Sequence, residues 1–224
     1  MWFMKSKFLV VAFFTFWGSI LLAQSGDTVS TTNPRLWTKA TYRFKPTKKL
    51  NIDLSGLYRS VGGEEGKNRF ISEVQFNFEQ SKTVSIATEF RHYSIFDVNG
   101  LNQRWRARVS ATKSYNIGKD DISFRFGAQH REIISGGGSA RADLRFRGSY
   151  TKAFKNWEWD PTVYSEYIGS FYSENPNKQS SRLRLGVETD NKVIGGKVSV
   201  GYFYQHNFKD LYGHYNTISV GYRF

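Results

Sequence analysis

The sequence predicts an all-β fold, an antiparallel up-and-down β-barrel that crosses a membrane, and three observations carry that expectation. Eleven stretches alternate apolar and polar side chains with a period of two, and no helical period separates them. Each is near the ~9–11 residues that a tilted membrane-spanning strand needs. The connections are of two kinds, short and polar or longer and rich in Gly, Asn and Ser, and the two kinds alternate along the chain. A membrane barrel has that pattern, with turns at one end and loops at the other.

The front of the chain reads as an export signal over residues 1–23. Lys5 and Lys7 precede an apolar run from Phe8 to Leu22, and small Ala23 follows. The run falls short of the ~20 residues that a spanning helix requires, so a cleaved leader is expected. There is no cysteine, which removes disulfides and a lipid-anchored N-terminus. Mean hydropathy of −0.51 would suggest a water-soluble chain. Barrel strands escape that measure, because inward polar residues cancel outward apolar ones.

Residues 24–34 form an N-terminal segment with a possible short first strand at Gly26–Thr32 and a turn at Asn33-Pro34; residues 35–224 are the barrel. Leu36, Ala40, Tyr42 and Phe44 face away from Trp37, Lys39, Thr41 and Arg43. Leu50 to Tyr58, Phe70 to Phe78 and Val84 to Phe90 repeat the pattern against Asp53, Arg59, Arg69, Glu73, Glu89 and Arg91. Trp105, Ala107 and Val109 oppose Arg104, Arg106 and Arg108; Ile122 to Ala128 oppose Arg125 and Gln129. Leu144 and Phe146 oppose Arg141, Asp143, Arg145 and Arg147. The strand expected from Trp157 to Tyr167 carries Glu158 and Glu166 inward, and Arg182, Arg184 and Glu188 line the next. Val198 to Tyr204 and Ile218 to Phe224 complete the set. Because single-chain bacterial barrels close with an even number of strands, the weak N-terminal segment is expected to bring the total to about twelve, with roughly ten as the alternative.

Short turns are expected at 45–49, 80–83, 116–121, 153–156 and 190–192, and long loops at 60–68, 95–102, 133–139, 172–181 and 206–213. Tyr42, Phe44, Phe76, Phe78, Tyr115, Tyr150, Trp157, Trp159, Tyr222 and Phe224 then form one aromatic girdle at the short-turn end. A strand that stops on its own aromatic resembles the closing strand of bacterial outer-membrane barrels. That resemblance implies that Tyr222 and Phe224 are an assembly signal read by the barrel-assembly machinery.

The inward face is rich in arginine. Arg104, Arg106, Arg108, Arg141, Arg145, Arg147, Arg182 and Arg184 line the expected lumen with Glu73, Glu89, Asp143 and Glu188. Two roles follow, a salt-bridged plug that stabilises the wall or a narrow porin-like passage that favours anions, strongest at Arg104-x-Arg106-x-Arg108 and Arg145-x-Arg147. Enzymatic activity is not expected. His92, His130, His206 and His214 are scattered, no nucleophile sits in a tight Gly-bounded turn, and neither a metal nor a cofactor is implied. A lipid-modifying enzyme would place His206, His214 and Asp210 at the rim. The net charge of +13 does not point to nucleic acid, since arginines and aromatics fall on opposite faces of each strand. The expected partners are outer-membrane lipid and lipopolysaccharide, and an envelope protein could dock on the external loops, of which 172–181 is the longest.

The chain also resembles an uncharacterised family of small Gram-negative outer-membrane proteins. The likeness rests on Leu36-Trp37, the turn Lys45 to Lys49, Asn102 to Arg106, Ala142 to Arg147, Ser181 to Gly186 and the terminal Gly-Tyr-Arg-Phe. It implies an outer-membrane barrel and transfers no catalytic or binding residue.

Overall fold

Alternating side chains leave a strand with one apolar and one polar face, and closing the sheet satisfies every backbone group without an edge. The chain does this in a computed structural model that describes residues 33–61, 68–97, 100–136, 139–155, 157–172, 179–193, 195–208 and 214–224. The strands are β1 (Asn33–Phe44), β2 (Leu50–Val61), β3 (Asn68–Glu79), β4 (Val84–Asp97), β5 (Gly100–Ile117), β6 (Asp120–Ser135), β7 (Arg141–Thr151), β8 (Thr162–Tyr172), β9 (Gln179–Val193), β10 (Gly196–Asn207) and β11 (His214–Arg223). Each pairs with the next in antiparallel register, and β11 returns to β1 to close the barrel.

The described barrel therefore has eleven strands, not about twelve, and they are the eleven alternating stretches of the sequence. An odd number of antiparallel strands can close only if the first and last run the same way. β1 and β11 do so, in register from Asn33 opposite Tyr215 to Thr41 opposite Arg223. The seam continues into the last residue: the Phe224 amide donates to the Thr41 carbonyl at 2.9 Å, and the Arg43 amide to the Phe224 carbonyl at 3.4 Å. Asn33 and Pro34, expected to turn, open β1 instead, where a proline at a strand start is tolerated. The leader and the weak strand at Gly26–Thr32 lie outside the described residues.

Two connections differ from expectation. The long loop expected at 95–102 shrinks to 98–99, because β4 and β5 both extend past the membrane-length segment and pair to Asp97 opposite Gly100. The short turn expected at 153–156 grows to 152–161. Trp157 and Trp159 lie in it and not on a strand, since Pro161 lacks the amide a ladder requires. That turn is tied internally, with the Phe154 amide on Asp160 at 3.0 Å and the Trp157 indole on the Trp159 carbonyl at 2.6 Å. Glu158 moves with it, facing Asn191 at the rim rather than the lumen. Elsewhere tight turns use glycine where φ is positive, as at Gly118 (φ +65°).

Burial is inverted relative to a water-soluble protein. Tyr42, Phe44, Leu54, Phe126, Phe146 and Leu185 are exposed on the outer face, whereas Glu73, Glu89, Asp143 and Glu166 are buried inside. Apolar residues also enter the lumen: Leu57, Ile71, Tyr93 and Ile95 form one buried cluster toward the loop end, with Ile168 and Phe203 elsewhere on the inner wall.

Candidate functional site

The period of two carries Asp53, Glu73, Glu89, Arg91, Arg106, Arg108, Asp143, Arg145, Glu166 and Arg184 onto one inner wall, and the register decides which of them meet. Glu89, 1% exposed, is the principal node. It accepts from Arg106 and Arg108 and pairs with Arg91 at 2.9 Å. Glu73 takes Lys39 at 2.6 Å and also Arg91. Glu166 takes Arg145 at 2.8 Å, Arg184 at 3.4 Å and Arg125 at 3.9 Å. Asp143 takes Arg141 at 2.7 Å, Arg182 at 3.5 Å and an amide hydrogen bond from Gln129. Arg147 pairs with Glu188, and Arg43 with Asp53 at 2.5 Å near the turn end. Ionised groups so far from water persist only when paired and hydrogen-bonded, as Asp53, Glu73, Glu89, Asp143 and Glu166 are, whereas Glu188 is half exposed.

The wall is thinned where bulk must cross it. Gly186 lies opposite both Tyr164 and Phe203, and a Cβ there would come within 2.5 Å of the Tyr164 ring. Tyr164 thereby reaches over Arg147, whose guanidinium sits 3.7 Å from the ring centre. Arg59 stacks on Trp37 at 3.7 Å and Arg35 on Tyr215 at 3.4 Å. These aromatic partners are functional-wall residues that alternation alone does not single out. Trp37 has inward parity, but which arginine it covers depends on the cross-strand pair Trp37–Arg59.

Toward the loop end the balance of charge changes. Arg91, Arg106, Arg131 and Arg141 follow one another as direct cross-strand partners on β4 to β7, and Arg59 faces Arg69 on β2 and β3. Like charges placed opposite one another oppose sheet formation. Arg91, Arg106 and Arg141 are offset by the carboxylates just described. Among the described residues Arg59 and Arg69 have no carboxylate partner, Arg131 has only the more distant Asp143, and the Nε atom of each is buried without a hydrogen-bond acceptor. Arg106, Arg108, Arg145 and Arg147, where the sequence places the strongest local field, meet Glu89, Glu166 and Glu188, whereas Arg59 and Arg69 meet arginine. Arg104 stands in the same upper region, opposite Tyr93 and beside a register shift at Gln103.

The histidines lie on the outer face. His92 pairs across strands with Ser72 and Trp105, and these three line an open groove of about 730 Å³ with Leu54, Val74 and Phe90. His130 bonds Glu132 at 3.1 Å and packs near Trp105. His206 and His214 are direct cross-strand partners at the loop-end rim; Asp210 lies outside the described residues, as does 173–178 of the expected docking loop. Among the described residues no three His, Cys, Asp or Glu side chains gather as metal ligands.

A family model described as a protein of unknown function (DUF2490) matches residues 35–216. No curated protein matches. Among solved structures, LpxR from Salmonella typhimurium is similar at a TM-score of 0.51 and 8% identity, over 79% of this chain and 83% of that one. The siderophore receptor PirA from Pseudomonas aeruginosa is similar at a TM-score of 0.39 and 12% identity, over 74% of this chain and 34% of that one, a likeness too low to carry an argument. The likeness to LpxR shows the barrel fold and nothing finer.

Proposed function

The chain belongs to the DUF2490 family, which brings a fold without an assigned activity, and on that premise we propose a closed-lumen structural barrel of a Gram-negative outer membrane. The observation that supports this is the burial of wall carboxylates at mid-height. Glu89 and Asp143 are each 1% exposed and Glu166 is 3% exposed, although all three point into the space a pore would fill with water. Arginines reaching inward from several strands fill that level and brace the strands against one another. Its partners are outer-membrane lipid, lipopolysaccharide and, through Tyr222 and Phe224, the assembly machinery; the Tyr222 and Phe224 rings pack at 4.7 Å beside the closing seam.

The test pairs fractionation with planar-bilayer recording. The mature chain should fractionate with the outer membrane and run with altered mobility in unboiled gels, and bilayers should carry no steady current. Recovery as a soluble periplasmic protein, or a stable open conductance, would overturn the reading. A second role, slow passage of small anions, is favoured by the loop-end arginines; it predicts rare anion-selective steps that Arg59→Gln with Arg69→Gln reduces. The barrel is read as non-enzymatic. The Ser72–His92 pair in the outer groove is where an enzyme would reveal itself, and His92→Ala should leave membrane lipid composition unchanged.

A further inference from the structure

The arginines of the loop-end lumen converge on one point. Tyr93 is 6% exposed and sits on the inner wall of β4. Arg91 donates a hydrogen bond to its hydroxyl, and Arg106 lies 5.8 Å from its ring centre. Arg59, Arg69 and Arg131 are also within electrostatic reach of that hydroxyl. A phenol accepts hydrogen bonds but neutralises no charge. Arg91 and Arg106 have Glu73 and Glu89 below them, whereas Arg59, Arg69 and Arg131 are left around Tyr93 with buried, unused Nε donors. The Arg59–Arg69 and Arg106–Arg131 cross-strand pairs add repulsion that the protein alone does not relieve.

We propose that this volume is a binding site for a soluble multivalent oxyanion, of phosphate or polycarboxylate type, which enters from the loop end and is held by Arg59, Arg69 and Arg131 beside Tyr93. Guanidinium forks match the oxygen pairs of phosphate and carboxylate, and the Nε–H of each is one tine of such a fork. More than one negative charge is called for because, among the described residues, Arg59 and Arg69 have no carboxylate beside them and Arg131 shares Asp143 with Arg141 and Arg182. The donors face the lumen, so the strand wall separates them from lipid headgroups. Trp37, stacked on Arg59, is the reporter built into the site. The inference stands apart from the closed-lumen reading, since a blind vestibule and a conducting pore would both bind.

The experiment titrates the refolded full chain in detergent micelles with pyrophosphate and with citrate, at ionic strength held constant with chloride, following tryptophan emission. At least one of the two should bind saturably, with a signal that Trp37→Phe abolishes; which one binds identifies the oxyanion. Arg59→Gln combined with Arg69→Gln should weaken binding by more than about tenfold, since each lost charge-assisted contact is worth about that much. Lys197→Gln, at the opposite rim, should not. Should the double variant fail the unboiled-gel test of folding, Arg69→Gln and Arg131→Gln measure the loss singly. Absence of saturable binding by either anion, unchanged affinity in the folded arginine variants, or an equal loss in Lys197→Gln would overturn the proposal.

Discussion

The mid-height lumen and the loop-end lumen are built from the same residue types and behave as opposites. Around Glu89, Glu166 and Asp143 each carboxylate serves two or three arginines, so the level stays net positive but every arginine in it has a carboxylate within reach. Around Tyr93 the arginines face one another and an uncharged phenol. The difference comes from register. A carboxylate directly across from an arginine, as Glu89 from Arg108, makes a brace; an arginine across from an arginine, as Arg106 from Arg131, leaves positive charge in a confined space. The first arrangement is what stability selects, and the second costs stability, which is the physical reason to look there for a ligand.

Substitutions can break or sharpen that contrast. The largest effect is expected from Glu89→Gln, which takes from Arg106 and Arg108 the one carboxylate that pairs with them among the described residues: about 3–5 kcal/mol of destabilisation, read as a lower urea midpoint in lipid vesicles. A loss below about 1 kcal/mol would mean that the mid-height network is not the brace described. Gly186→Ala should cost roughly 1–3 kcal/mol in the same assay by pushing Tyr164 off Arg147. Arg131→Gln should do the reverse and raise ligand-free stability by a few tenths to about 1 kcal/mol, because it removes like-charge pairs with Arg106 and Arg141. A strong destabilisation there would erase the distinction between the two regions. Lys197→Ala, which removes a half-exposed ion pair to Asp190, should change the midpoint by less than about 0.5 kcal/mol and sets the baseline.

The strands were legible because a period of two is a local property. Phe70, Phe76 and Phe78 alternate with Arg69, Glu73 and Gln75 in a way no other element produces. The seam was not legible. Whether β11 meets β1 directly or through another strand depends on the whole circumference, and no residue of either strand records it. Trp157 and Trp159 mislead for a related reason, since two aromatics one residue apart mimic alternation, while Pro161, which ends the ladder, comes after them. At the site, the inward parity of Arg104, Arg106 and Arg108 can be read along the chain. Their partners cannot, because they lie on other strands at offsets that only the register supplies.

The parallel seam also bears on how such a barrel could arise. Membrane barrels enlarge most simply by duplicating a hairpin, which adds strands in pairs and preserves parity. Eleven strands cannot be reached that way from an even-numbered ancestor. From an even-numbered barrel, the eleven described strands would require an odd number gained or lost, and with it an exchange of antiparallel for parallel bonding at the seam. A consequence for engineering follows. β1 begins at the loop end and β11 finishes at the turn end, so a linker joining the start of β1 to Phe224 must cross the full height of the wall, where an even barrel would need only a short turn.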